Sequence, residues 1–324
     1  MLQTSHSRVS PLKRVAVKVP STTANLGPGF DVFGLALNLF HDIVEVSLIQ
    51  RGISIEVVGE YADFVPNKPE ENTAGVVAQF FLKKLNLNRG VHIQVSKGIR
   101  PSIGLGSSAA SAAATAVALD RLFGTSLSKE ELLEIAAQGE FASAGAPHAD
   151  NAAAALFGGF TIVRQEKPMD VIRLSPPNNL EMSVVIPQIP TPAKKTQAAR
   201  SVLPKNLPLE QMVMNLSNAS FMVAGFFLSE VDLIGRYMVD EVVEPARANL
   251  IPGYGAVRRS ALESGASGVA ISGAGPSMIA IVNSNRTKAL SVAEAMKKAF
   301  ESSGVKAEAY VAKSDKGAKI IGES

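Results

Sequence analysis

At 324 residues the chain exceeds one ordinary domain and suits two. With 46% hydrophobic and 19% charged residues it describes a folded globular protein, and its net charge of +3, spread along the chain, offers no basic run for nucleic acid. The absence of cysteine excludes disulfides, thiolate nucleophiles and cysteine-ligated metals, and four scattered histidines (His6, His41, His92, His148) show no metal-ligand spacing.

No apolar run reaches membrane-spanning length. The first thirty residues carry no Asp or Glu, and residues 1–14 are Ser-rich and basic, which reads as a frayed terminus rather than a targeting segment. The cytoplasm is the expected compartment, with no membrane partner. In chain order, short apolar or alternating runs predict strands over 14–19, 42–49, 54–58 and 91–95. Helical periodicity predicts helices over 72–85, 107–122 and 129–141, the second rich in alanine and so able to approach a sheet closely. Gly158 and Gly159 look like a turn into a further strand.

The Pro-rich, polar stretch 166–179 reads as a seam, dividing the chain into residues 1–165 and 166–324. Beyond it come a strand over 182–186, helices over 193–203, 208–229 and 254–264, and strands over 268–272 and 278–282. A helix over 288–300 and a strand over 306–311 follow. Strands and helices mixed in both halves predict an α+β or α/β protein.

The strongest local signal is Pro101-Ser102-Ile103-Gly104-Leu105-Gly106-Ser107-Ser108-Ala109-Ala110-Ser111. Glycines let the backbone aim its amides at an anion, and a helix start adds unpaired N–H groups and positive dipole. Ser107 and Ser108 are suited to cap that helix or to offer hydroxyls to phosphate or Mg²⁺. No lysine follows the glycines, so this is not a P-loop. The segment 104–109 fits a relaxed GxGxxA, but Pro101 intervenes after the preceding strand and helix occupies the place of the expected acidic strand end, which argues against dinucleotide binding.

Three segments together resemble the GHMP kinases (galacto-, homoserine, mevalonate and phosphomevalonate kinases). They are Pro20-Ser21-Thr22-Thr23-Ala24-Asn25-Leu26-Gly27-Pro28-Gly29-Phe30-Asp31, the loop just described, and Ser272-Gly273-Ala274-Gly275-Pro276-Ser277. Four more features resemble the branch of that family whose acceptor is homoserine: Asp31-Val32-Phe33-Gly34-Leu35-Ala36-Leu37, Gly145-Ala146-Pro147-His148-Ala149-Asp150-Asn151, the Thr196 to Arg200 helix start, and Glu244-Pro245-Ala246-Arg247. The resemblance spans about Val15 to Ala312. It implies an N-terminal domain like ribosomal protein S5 domain 2, a C-terminal ferredoxin-like domain, a site between them, and a homodimer.

What the resemblance implies chemically is phosphoryl transfer from ATP to the hydroxyl of L-homoserine, a reaction that needs positioning and charge neutralisation. It places Ser108 and Glu140 at Mg²⁺, hard oxygen ligands for a hard ion. Asn72 falls near the adenine or acts as a plain helix cap. The glycine loop over 101–111, with Gly273 and Gly275, falls at the phosphates. Asp31, His148 and Asp150 would meet the ammonium and hydroxyl end, with Asn25 beside the hydroxyl and Thr196 adding a hydrogen bond. Arg200 and Arg247 would clamp the carboxylate. No general base stands out. Asn151 occupies the place where mevalonate kinases carry an acidic residue, so either Asp150 accepts the proton or transfer is base-free with Asn25 and Asp150 orienting the hydroxyl.

Overall fold

A computed structural model describes residues 12–144, 149–166, 168–190 and 195–324. Among these, β1 (Arg14–Asn25) and β2 (Gly29–Ile49) run antiparallel over nearly the whole of β1. β2 is much longer than the strand expected over 42–49, because residues 34–37 also pair, with Ser21 to Ala24. That stretch of β1 is polar by composition, yet Ser21, Thr22 and Thr23 are fully buried. β3 (Ile53–Val58), α1 (Thr73–Lys84) and β4 (Gly90–Ser96) follow, and β3 and β4 pair in parallel through the helix. Parallel neighbours require such a crossover.

α2 (Ser107–Phe123) packs on β1 and β2, on α1, on α3 (Lys129–Ala144) and on α4 (Asp150–Phe157). A helix enclosed on so many sides needs small side chains, and Ala109, Ala110, Ala112, Ala113, Ala114, Ala116 and Ala118 are all buried. Gly124, left-handed at φ 63°, ends it. β5 (Phe160–Arg164) and β6 (Asp170–Leu174) form a hairpin joined to β2. The seam expected over 166–179 therefore contains a strand of the first sheet, and the expected division at residue 165 falls inside this hairpin. β6 was missed because its side chains are mostly exposed, leaving no apolar alternation to read.

The second lobe runs β7 (Leu180–Pro187), α5 (Lys195–Ser201), α6 (Leu209–Leu228), α7 (Val231–Arg236), α8 (Val243–Arg247), α9 (Tyr254–Glu263), β8 (Gly268–Ile271), β9 (Met278–Asn283), α10 (Ala289–Ser302) and β10 (Ala307–Ala312). Its strands lie in the order β10-β7-β9-β8, all antiparallel. That is the ferredoxin-like arrangement. Alternation along the strands splits the core: Met182, Val184, Ile279 and Ile281 join the cluster beneath the first lobe, while Val185, Met278, Ala280 and Val282 face α9 and α10. Phe160 of β5 stacks on Phe226 of α6 with ring centroids 3.8 Å apart, so the first cluster is shared between lobes.

After β10 the chain returns to the first sheet. β11 (Lys319–Glu323) pairs antiparallel with β1 as its outer neighbour, a contact no local pattern announces. No helix among the described residues is long and apolar enough to cross a membrane.

Candidate active site

The three glycine-bearing segments converge. Thr22 N–H donates to Leu105 O at 3.1 Å, tying the β1 end to the loop before α2. Gly273 N–H donates to Ala24 O at 3.1 Å, and Asn25 Nδ2 donates to Gly273 O at 2.8 Å. Ser272 Oγ donates to Gly104 O at 2.7 Å, and Ser277 N–H to Ile103 O at 3.2 Å. Between them and the two lobes opens a cleft of about 780 Å³.

On its nucleotide-like side, α2 begins at Gly106, whose φ of 68° makes it the N-cap in place of the serines. Of the two roles expected for Ser107, capping is not the one taken: its Oγ donates to Ile99 O at 2.9 Å, and Gly106 holds the N-cap position. A Cβ on Gly106 would stand 1.9 Å from Thr22 Oγ1 and 3.0 Å from Asn151 Oδ1. On Gly104, at φ 89°, it would meet Ser272 O at 2.4 Å and Gly275 O at 2.6 Å. Backbone alone fits there, which is the demand of a cradle built from amides.

Beneath this cradle lies a buried ion pair absent from the sequence reading. Lys97 Nζ donates to Asp42 Oδ2, to Ser107 O at 3.0 Å and to Ser111 Oγ at 3.1 Å. Asp42 Oδ1 accepts from the Gly98 and Ile99 amides at 3.0 and 2.9 Å. Burial pushes the Lys97 ammonium downward. With every partner in place, the pair fixes α2's first turn to β2 and to the segment after β4. Asp42 and Lys97 lie 55 positions apart, so nothing local signalled the contact.

The opposite wall carries the polar groups expected for an acceptor. Asn25, Leu26 and Asp31 all have positive φ (71°, 50° and 59°), a cluster of backbone strain of the kind found at functional sites. Asn25 Oδ1 accepts the Asp31 amide at 3.2 Å. Arg200 Nη2 donates to both Asp31 carboxylate oxygens, at 2.6 and 2.7 Å. Arg247 is buried, donating through Nε to Ala199 O and through Nη1 to Gly273 O, both at 3.1 Å. Burial, then Arg200, lower its pKa. Both guanidiniums flank the Phe30 ring, 5.1 and 5.2 Å from its centroid. Thr196 lines the cleft beside them, and Lys195 Nζ donates to Gly275 O.

Asp150 opens α4, buried, and its Oδ1 accepts the Asn151 amide at 2.7 Å and Asn151 Nδ2 at 3.3 Å. Asn151 Oδ1 in turn accepts Thr22 Oγ1–H at 2.8 Å. Asn72 is the N-cap of α1: Oδ1 accepts from Ala74 N–H at 2.9 Å and Nδ2 donates to Pro66 O at 2.7 Å.

Among the residues expected at the nucleotide, Asn72, Pro101, Ser102, Gly104, Leu105, Gly106, Ser107, Ser108, Ala109, Ser111 and Gly273 line the cleft. Ile103 and Ala110 are buried in the core, and Gly275, whose carbonyl accepts from Lys195, is not among the described residues that line the cleft. His148 and the side chain of Glu140 lie outside the described residues. Lys97, Lys195 and Phe30 were missed. Phe30 and Lys195 adjoin quoted motif residues, Asp31 and Thr196, which was the available signal.

Comparison with known proteins agrees with this geometry. Residues 72–159 match the family described as GHMP kinases N terminal domain, and residues 222–302 match GHMP kinases C terminal. A homoserine kinase from Methanococcus maripaludis is 47% identical over 271 residues, covering 83% of this chain and 88% of that protein. One from Methanocella arvoryzae is 46% identical over 307 residues, covering 95% and 97%. The crystal structure of homoserine kinase from Cytophaga hutchinsonii superposes with a TM-score of 0.88 at 37% identity, covering 96% and 98%. The fold and site define a small-molecule kinase; the chain belongs to the GHMP kinases and, within them, to the homoserine kinase family.

Proposed function

We propose that this chain transfers the γ-phosphoryl group of ATP to the side-chain hydroxyl of L-homoserine, giving O-phospho-L-homoserine on the route to threonine. One observation carries the reading: a backbone-lined anion cradle and a carboxylate–guanidinium pair open into the same cleft. The cradle suits a polyphosphate, and the pair suits an amino acid carrying both charges.

The glycine loop and the start of α2 would hold the phosphates, and Ser108, which lines the cleft, would offer Mg²⁺ a hydroxyl with Glu140 as the expected carboxylate ligand. Mg²⁺ neutralises phosphate charge when bound. The base lies against Asn72 and the neighbouring Phe64, Val65 and Pro66. Arg200 and Arg247 face the substrate carboxylate, with Thr196 beside them. Asp31 would meet its ammonium end, with His148 the second residue expected there. Asn25 and Asp150 orient the hydroxyl, Asp150 itself being held by Asn151, and transfer proceeds without a dedicated base.

A second copy of the chain is its partner, meeting α6, where Leu209, Met212, Leu216, Phe227 and Leu228 are exposed. The test of the activity is ADP release in the presence of homoserine, mevalonate, shikimate or galactose. Turnover with homoserine alone is the expected result, and turnover preferring any other acceptor overturns the assignment.

A further inference from the structure

Among the described residues, the cleft carries a cation not used in the roles above and not neutralised by a carboxylate. Lys195, the first residue of α5, lines it and sends its ammonium to the Gly275 carbonyl. Three observations mark it as a ligand-facing group.

An ammonium has three donors, and Gly275 O takes one; among the described residues no other hydrogen bond or carboxylate partner is found for it. Other cations in the cleft are differently placed. Lys97 is neutralised by Asp42 and Arg200 is paired with Asp31. Only Arg247 resembles Lys195 in having carbonyl partners and no carboxylate among the described residues. Arg247 and a protonated Lys195 on one wall repel each other, and an arriving anion relieves that repulsion and favours the protonated amine. Burial, and then Arg247, hold the Lys195 pKa down at about 7.

The position of the contact distinguishes between anions. Gly275 O is the atom that a Cβ on Gly104 would meet at 2.6 Å, so the lysine is anchored directly against the glycine cradle. Arg200 and Arg247 instead flank Phe30 on the acceptor side. We propose that Lys195 binds the phosphoryl group in transfer, meeting it as the terminal phosphate of the nucleotide and again as the phosphate ester of the product. The proposal rests on the kinase reading above and adds a residue to it. A fixed ammonium at that point favours the phosphoryl oxygens as their charge redistributes and gives up no proton.

Calorimetry on the full chain separates the possibilities, with O-phospho-L-homoserine, L-homoserine and Mg²⁺–ADP as probes. Lys195→Met should weaken O-phospho-L-homoserine binding by roughly 10- to 100-fold, the loss of one charge-assisted hydrogen bond, while L-homoserine and ADP change by less than about threefold. Lys195→Arg should recover most of the loss. Lys195→Gln keeps a donor for Gly275 O without the charge. It should behave like the Met variant, so anchoring of α5 and charge are read apart. Equal weakening of homoserine and phosphohomoserine would assign Lys195 to the carboxylate and overturn the proposal, as would unchanged phosphohomoserine binding in both neutral variants. A wild-type chain that bound neither amino acid would overturn the kinase reading itself.

Discussion

A single guanidinium nitrogen of Arg200, Nη2, bridges both carboxylate oxygens of Asp31 at 2.6 and 2.7 Å. Residue order places these residues at opposite ends of a zwitterion, and here they pair with each other. A substrate carrying one ammonium and one carboxylate can exchange with this pair without changing the site's net charge. Arg200→Ala should therefore lower kcat/KM for homoserine by at least roughly 30-fold, with nucleotide binding intact. Both side chains are about 30% exposed, so stability should fall by only about 1 kcal/mol or less. Steady-state kinetics and thermal melts measure the two effects separately. A large fall in Tm with unchanged kcat/KM would make the pair structural.

Arg247 should behave differently, although nothing in residue order separates it from Arg200. It is buried and holds Ala199 O on α5 and Gly273 O in the third glycine turn. Arg247→Ala leaves both carbonyls without that donor. A loss of roughly 1–3 kcal/mol in denaturant unfolding is expected alongside the kinetic defect. Lysine should restore little of either, because it lacks the planar fork that reaches two carbonyls.

Gly106→Ala tests the cradle. Its Cβ would collide with Thr22 Oγ1 and press on Asn151 Oδ1, both at the site. Gly124 has a similar φ of 63° but open space around it. Gly124→Ala should thus show only the strain of a left-handed alanine, about 1 kcal/mol, and bind ATP normally. Gly106→Ala should lose ATP affinity at least tenfold. Equal ATP affinity in the two variants would remove the loop from the phosphate site.

Glu140→Gln addresses Mg²⁺. Turnover should fall and the Mg²⁺ concentration needed for half-maximal rate should rise, with homoserine KM little changed. An unaltered Mg²⁺ requirement would take Glu140 out of the metal site.

Glu244, on the turn of helix that carries Arg247, sets a pH dependence. Burial raises its carboxyl from 4.5 to about 7, against the opposing hydrogen bond from the Ile271 amide. The folded state thus keeps a proton that the unfolded chain releases between those values. This contribution favours folding at low pH and is lost as pH rises through about 7, a change of about 3 kcal/mol at most. Glu244→Gln should match the wild type near pH 4.5 and exceed it in Tm near pH 8. A Tm difference independent of pH would place the titration elsewhere.

Much of this molecule was legible in residue order. The three glycine segments identified the site because turns, caps and left-handed positions are written locally, and the apolar runs located most strands and helices. What escaped reading depends on distance in sequence. β6 and β11 are short and exposed, and become strands only because β5 and β1 offer them partners. Ser107 looks like a cap until Ile99 O takes its hydroxyl. Asp31 and Arg200 are separated by 169 positions, so their pairing, as opposed to their shared presence in the cleft, needed the fold.

The return of β11 to β1 also orders events in time. Arg14 and Lys13 amides both reach the Ser324 carbonyl, and β11, which follows the second lobe in sequence, covers the edge of β1. A chain emerging from the ribosome exposes β1 with that edge open while the whole second lobe is being made. Open edges invite pairing with the wrong strand. The kinase cleft, whose wall begins at the end of β1, is thus built on a strand whose outer neighbour arrives only after the second lobe.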